Sequence, residues 1–286
     1  MESQTHWFLI YNFFHARDYS DNCVAGTCHE NDNEGAIFAI RKDGSEFGTL
    51  ETIETLAHNN VYSYTNDRDI KKGAHDIEGK IAFHDNTHPV LFLEAGGHGA
   101  LGGADKKALF DPEGKKWRKN TGITYVYKGA AERPRHAMDR EVGYELLPIY
   151  HHWWSRATKQ SSALAKMFSA FYSYAPYGNR PRMKHADIAG SFLGIKYGRD
   201  KAKPFWGWHD MATQRKKILA TGQWAADPAY SLSRNLTFPP SKPISLDYVF
   251  NPYLDVPGPQ PPFVEIVRNA KDGEIDVQHQ RHITYG

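Results

Sequence analysis

Cysteine is nearly absent from this sequence, with two residues, Cys23 and Cys28, in 286. That excludes a disulfide-dense scaffold. The two flank the short loop Val-Ala-Gly-Thr, where a bridge is geometrically conceivable if the protein is exported, while two reduced thiols fit a cytosolic protein equally well. Long hydrophobic runs are missing too. No stretch approaches the ~20 apolar residues of a membrane-spanning helix. The apolar run from Trp7 to Phe14 has neither a basic leader nor a small-residue cleavage site, so it reads as a strand rather than a signal peptide. An excess of one charge is also lacking. Lys and Arg total 35 against 33 Asp and Glu, which leaves no global field to recruit nucleic acid or an anionic membrane. The cluster Lys115, Lys116, Arg118 and Lys119 reads as a solvated loop. Internal repeats and low-complexity tracts are absent.

What the chain does have is aromatic residues, at 13%, and 15 histidines. The first implies a core built largely of Trp, Tyr and Phe, and the second supplies many possible ligands and proton carriers. The triplet Asn235-Leu236-Thr237 fits a glycosylation acceptor. The compartment stays open, with a secreted or cell-surface location favoured.

The first half is punctuated by Gly, Asp and Asn clusters that separate predicted strands at 7–14, 35–40, 61–64, 77–83, 89–94 and 122–127. This spacing predicts a mainly β protein, an antiparallel β-sandwich with a few helices and long Pro-, Gly- and aromatic-rich loops. A doubly wound parallel sheet lacks its alternation of strand and long helix. One helix is predicted from about Ser155 to Tyr172, where Leu164, Met167, Phe168, Phe171 and Tyr172 fall at helical spacing and Pro176 ends it. The final stretch around Asp272-Gly273 predicts a hairpin. The organisation expected is one domain over 1–286. Its first half, 1–150, carries the sandwich, and 151–286 adds the helix, loops and a hairpin that complete the sheets.

The chemistry concentrates in "CHENDNEGAIFAI", residues 28 to 40, where a histidine and three acids precede an apolar strand. Alternation along a strand puts Asp32, Glu34, Ala36, Phe38 and Ile40 on one side, with the two carboxylates roughly 7 Å apart at Cα. Burying such a pair without compensation costs several kcal/mol per ion, and a divalent cation removes that cost. Oxygen ligands suit Mg, Ca or Mn, and an added imidazole such as His29 moves the balance towards Mn, Zn or Fe. Two familiar loops are excluded. The twelfth position of a helix-loop-helix calcium loop is Arg41, and the second histidine of a His-Glu-x-x-His zinc helix is Asn33. A solvated acidic turn remains the simpler reading of this stretch alone.

A second segment, "PVLFLEAGGHGALGG" at 89 to 103, is an apolar strand ending in Glu94. The glycine-rich turn after it presents His98, glycine allowing positive φ and close backbone approach. Together, the aromatic strand, Cys-His-Glu-x-Asp-x-Glu and Gly-x-His-Gly/Ala resemble the vacuolar protein sorting-associated protein 62-like family over residues 7 to about 103. More remotely, they are similar to the necrosis-inducing proteins, whose signature is Gly-His-Arg-His-Asp-Trp-Glu. The resemblance implies a β-sandwich with a divalent metal at one end. It carries the metal residues of that signature onto His29, Asp32 and Glu34, an upstream acid onto Asp21, and the later histidine onto His98. Asn31 and Asn33 replace the signature's second His and its Trp, which weakens the case for membrane damage.

These readings lead to a metal-dependent enzyme, hydrolytic in type, acting on a carbohydrate or polar lipid. Mg, Ca or Mn is preferred over Zn as the ion. Asp21, His29, Asp32 and Glu34 would hold it, and His98 and Glu30 would transfer protons. Trp206, Trp208 and Tyr177 are candidates for stacking on sugars, against a competing role in the core. The alternatives are a metal-stabilised glycan- or sphingolipid-binding module of cytolysin type, and a scaffold or sorting protein whose metal is structural. Asp187, His185, His209 and Asp210 are further residues able to complete a site if they reach the metal end.

Overall fold

The computed structural model describes residues 1–17, 30–94, 97–103, 122–146, 148, 208, 210–219, 223–254 and 256, without the side chains of 16, 17, 30–32 and 214. The chain divides into two compact units, Met1–Trp117 with Gln160–Pro257 and Arg118–Lys159 with Gly258–Gly286. In the first unit the strands before the second unit are β1 (Glu2–Ser3), β2 (His6–Arg17), β3 (Glu30–Arg41), β4 (Thr49–Ala57), β5 (Asn60–Thr65), β6 (Lys71–Lys72), β7 (Ile77–Gly79), β8 (Phe83–His84), β9 (His88–Pro89), β10 (Leu91–Leu93) and β11 (Ala100–Gly102). The second unit contributes β12 (Tyr125–Tyr127) and β13 (Val142–Tyr144), a parallel pair. The first unit resumes with helices α1 (Met211–Arg215), α2 (Gln223–Ala226) and α3 (Pro228–Asn235), then β14 (Leu236–Thr237) and β15 (Tyr248–Phe250).

The protein is mainly β. Its principal sheet has seven strands in the order β15-β1-β2-β3-β4-β5-β7, antiparallel except where β7 joins β5 in parallel. β3 lies at the centre, and residues 33–39 are all buried. The run Gly-Ala-Ile-Phe-Ala explains this, because a strand covered on both faces needs apolar side chains on both. One face packs Ala36, Phe38, Ile53 and Tyr64 with Ile81 and Leu91. The β10–β11 ribbon lies over it, close enough that a Cβ on Gly102 would come within 2.6 Å of the Tyr64 ring. This ribbon gives the sandwich its second β layer. The opposite face is covered by the helices, with Trp224, Ala225, Ala229 and Leu232 buried against it.

The helix layer is tied down by polar groups at both ends of α3. Asp227 accepts from the Tyr230 amide and from the Tyr248 hydroxyl, and Pro228 opens the helix, where its missing N–H costs nothing. At the other end the amides of Gly73, Ala74 and His75 donate to the carbonyls of Asn235 and Arg234, satisfying acceptors that a helix terminus leaves open. Glu54 of β4 is fully buried between the layers. It accepts from Ser63 Oγ at 3.0 Å, Trp224 Nε1 at 2.8 Å and Asn235 Nδ2 at 3.0 Å.

Five sequence expectations change or fall elsewhere. Asn235 is fully buried with its amide on Glu54, so it is no glycan acceptor. Residues 77–83 and 89–94 form short strands with breaks at 80–82 and 90 in place of continuous ones. The helix predicted at 155–172 and the terminal hairpin lie outside the described residues. No helix among the described residues is long and apolar enough to cross a membrane.

Candidate functional site

The charged stretch that opens β3 lies at one end of the principal sheet. Antiparallel pairing fixes what stands beside it, because His15 of β2 is opposite Asp32 and Phe13 is opposite Glu34. Cross-strand partners project from the same face, so Glu34 points with Ala36 and Phe38 towards the side covered by the β10–β11 ribbon. The expected shared side of Glu34, Ala36 and Phe38 is therefore present. Glu34 is 7% exposed, and its Oε1 accepts a 3.4 Å bond from the amide of His58.

His58 belongs to a two-residue turn joining β4 to β5. Ala57 pairs with Asn60, and His58 and Asn59 have φ of 52° and 61°. Two successive left-handed residues make the turn whose twist suits a tight hairpin. The turn aims the His58 ring at the end of β10, where its Nε2 lies 2.6 Å from Oε2 of buried Glu94. The His58 side chain remains about a third exposed, at 34%, so a carboxylate-held imidazole reaches solvent.

The glycine-rich turn after Glu94 completes the group. His98 also has positive φ, 55°, and its ring stacks on that of His15 with centroids 3.8 Å apart and planes 4° from parallel. Gly99 follows because nothing larger fits. A Cβ there would stand 2.6 Å from Glu94 Oε2, 2.8 Å from the Ala57 methyl and 3.1 Å from His58 Nε2. Thus the glycine of "GGHGA" admits the His58–Glu94 pair while its neighbour carries the stacked imidazole. The acids share one electrostatic neighbourhood. Burial first, then the charges of Glu78, Glu94 and Glu34, push the Tyr62 hydroxyl above its usual range.

The structure therefore gathers two of the sequence candidates, Glu34 and His98, at one end of the sheet. The backbones of Glu30 and Asp32 continue β3 into the same region, opposite Arg17 and His15. Asp21, His29, Tyr177 and Trp206 lie outside the described residues, as do the side chains of Glu30 and Asp32. Trp208 is corrected. It is 1% exposed, packed against Gly35 and 5.6 Å from the Trp224 ring, and offers no open face to a sugar. His15, His58 and Glu94 were not among the sequence candidates. The Asn59-Asn60 pair before the strand predicted at 61–64 was the available signal for a turn at His58, and the acid ending an apolar strand was the signal for Glu94.

Two further residues in the sequence bear on the site from behind. Met211 donates its amide to the Asn59 carbonyl at 2.8 Å, and Trp208 lies on Gly35, so the segment beginning at Trp208 does run to this end of the sheet. Among the described residues no three His, Cys, Asp or Glu side chains are grouped so as to hold a metal ion. No protein-family model, curated protein or solved structure matches the chain.

Proposed function

We propose that the chain is a divalent-metal-dependent hydrolase acting on a carbohydrate or a polar lipid headgroup at the β3 end of the principal sheet. The observation that carries the reading is the arrival of Glu34, His58, Glu94, His98 and His15 at that end from four separate strands and turns. Burying carboxylates such as Glu34 and Glu94 is costly unless cations or hydrogen bonds offset it, and an ion here would take Asp32, His29 and Asp21 as its further ligands. The motif resemblance to the vacuolar protein sorting-associated protein 62-like family supports the same assignment. Mg, Ca and Mn suit the carboxylates, and the imidazoles favour Mn among them.

When bound, such an ion would supply Lewis-acid chemistry to the scissile group and its attacking water. The chain's own residues do the rest. Glu94 holds the Nε2 end of His58, whose side chain is about a third exposed, and this carboxylate-paired imidazole is one proton-transfer group of the reading. His98, held over His15, and Glu30 on β3 are the other proton-transfer groups of this reading. A metal-stabilised glycan- or sphingolipid-binding module is less well supported, because burial of Trp208 removes one of its three stacking residues.

Asp32→Ala tests the assignment. On a panel of glycosides and phospholipid headgroup esters, the variant is expected to lose at least ~100-fold in turnover while keeping its melting temperature within a few degrees. Wild-type turnover in a folded Asp32→Ala protein would sink the hydrolase reading.

A further inference from the structure

The segment that begins at Trp208 passes behind the sheet, on the face covered by the helices, and meets the site's end at two points. One is Trp208 on Gly35, adjacent to Glu34, and the other is the Met211 amide on the carbonyl of Asn59, adjacent to His58. Between them stands buried Asp210. Its Oδ2 lies 2.6 Å from His75 Nε2 and accepts from Thr213 Oγ1 at 2.5 Å, and its Oδ1 accepts from the Ala212 amide at 3.3 Å. Asp210 thereby fixes the start of α1, and the first amide of α1 is the one given to Asn59.

His75 is anchored on its other side. Its amide donates to the Asn235 carbonyl at the end of α3. The pair therefore bridges the end of one helix and the start of another, and the second of these is fastened to the His58–Asn59 turn. The charged groups that act on His75 are Asp210 and Glu54, both negative, and Lys216, positive.

We infer that His75 and Asp210 are positioning residues, a charge clasp that holds the His58–Asn59 turn from behind the sheet and slackens as pH rises. Burial opposes the imidazolium, but the Asp210 hydrogen bond and the charges of Asp210 and Glu54 outweigh it and hold His75 above its ordinary value of 6.5. Burial likewise opposes the Asp210 carboxylate, and its bonds from His75 and Thr213 outweigh that and hold it below 3.8. The sign follows. The His75 contribution is complete below 6.5 and is lost as pH rises through its raised pKa. The Asp210 contribution is present above 3.8 and is lost as pH falls through its lowered one. The clasp is closed between those limits.

The importance of this device for catalysis rests on the proposed site, but its test needs neither ion nor substrate. Amide hydrogen exchange of the full chain, corrected for the intrinsic pH dependence of exchange, reads the turn directly. Between about pH 5.5 and about pH 8.5, wild-type protection at residues 57–61 is expected to fall severalfold, while the centres of β2 and β3 stay protected. His75→Gln is expected to show the low protection at both pH values. Asp210→Asn, which keeps a side chain able to accept from Thr213, is expected to do the same without unfolding by circular dichroism. Retention of the wild-type pH dependence in either variant would assign it to another group, such as Glu54, and overturn the clasp. Loss of protection spread evenly over the sheet would also overturn it, as a global effect.

Discussion

Glu54→Ala is expected to destabilise the protein by about 3 kcal/mol, measured by urea unfolding, making it one of the costliest single changes in the first unit. The carboxylate is the common acceptor for a strand hydroxyl, the Trp224 indole and the Asn235 amide, and all three are sealed between sheet and helices. Truncation leaves those donors unpaired where water does not reach, at about 1–3 kcal/mol each before relaxation. Removing the carboxyl's own desolvation cost offsets part of this.

Glu54→Gln separates the two terms. Burial pushes the Glu54 carboxyl above its ordinary 4.5, against the pull of Trp224, Asn235, His75 and Ser63. A carboxyl with a raised folded pKa contributes stability that is present below 4.5 and is lost as pH rises through the raised value. Glutamine keeps an oxygen for Trp224 and Asn235, and its NH2 can donate to the Ser63 hydroxyl. Glu54→Gln is therefore expected to match wild type at low pH and to exceed it increasingly as pH rises. A stability difference independent of pH would contradict the buried-charge account.

Gly35→Ala is the second large effect, expected to cost about 3 kcal/mol. The added Cβ would stand 2.1 Å from Trp208 Cη2, 2.6 Å from its Cζ3 and 2.5 Å from the Tyr11 carbonyl oxygen on the neighbouring strand. The carbonyl belongs to the sheet and cannot move away, so the strand or the indole must shift. Because Glu34 is the next residue, the shift is expected to reach the site. A double-mutant cycle with Trp208→Phe checks the cause. The pair is expected to cost at least ~1 kcal/mol less than the sum of the single changes, and strict additivity would show that the Trp208 contact is not the source.

These residues also show how far the sequence could be read. The central strand was legible because an apolar run buried on both faces has few other meanings. Its flanking partner β2 was legible as the apolar, aromatic-rich run from Trp7 to Phe14. β4 was not. In Thr-Leu-Glu-Thr-Ile-Glu-Thr-Leu-Ala the apolar residues Leu50, Ile53 and Leu56 recur every third position, which mimics a helix face, and the two glutamates look solvent-bound. Both are buried because tertiary partners receive them. Glu54 meets the helix layer. Glu51 is the extra residue of β4 where the register shifts at Ala39/Ile40, and it bonds His6 and Arg41. Missing β4 meant missing the turn at its end, and with it His58. Glu34 and His98 were recoverable because each follows from local patterning, an alternating strand and a glycine-rich turn. The stack of His15 on His98 and the pairing of Glu94 with His58 join distant segments, which no local spacing records.

The proposed hydrolase requires a divalent ion at this end of the sheet. Elemental analysis of the purified protein, beside the same measurement on Asp32→Ala, tests it most directly. After loading with Mg, Ca or Mn and removal of loosely bound ions, the wild type is expected to retain about one ion per chain and Asp32→Ala markedly less. An ion-free wild type, or equal retention by both proteins, would contradict the account.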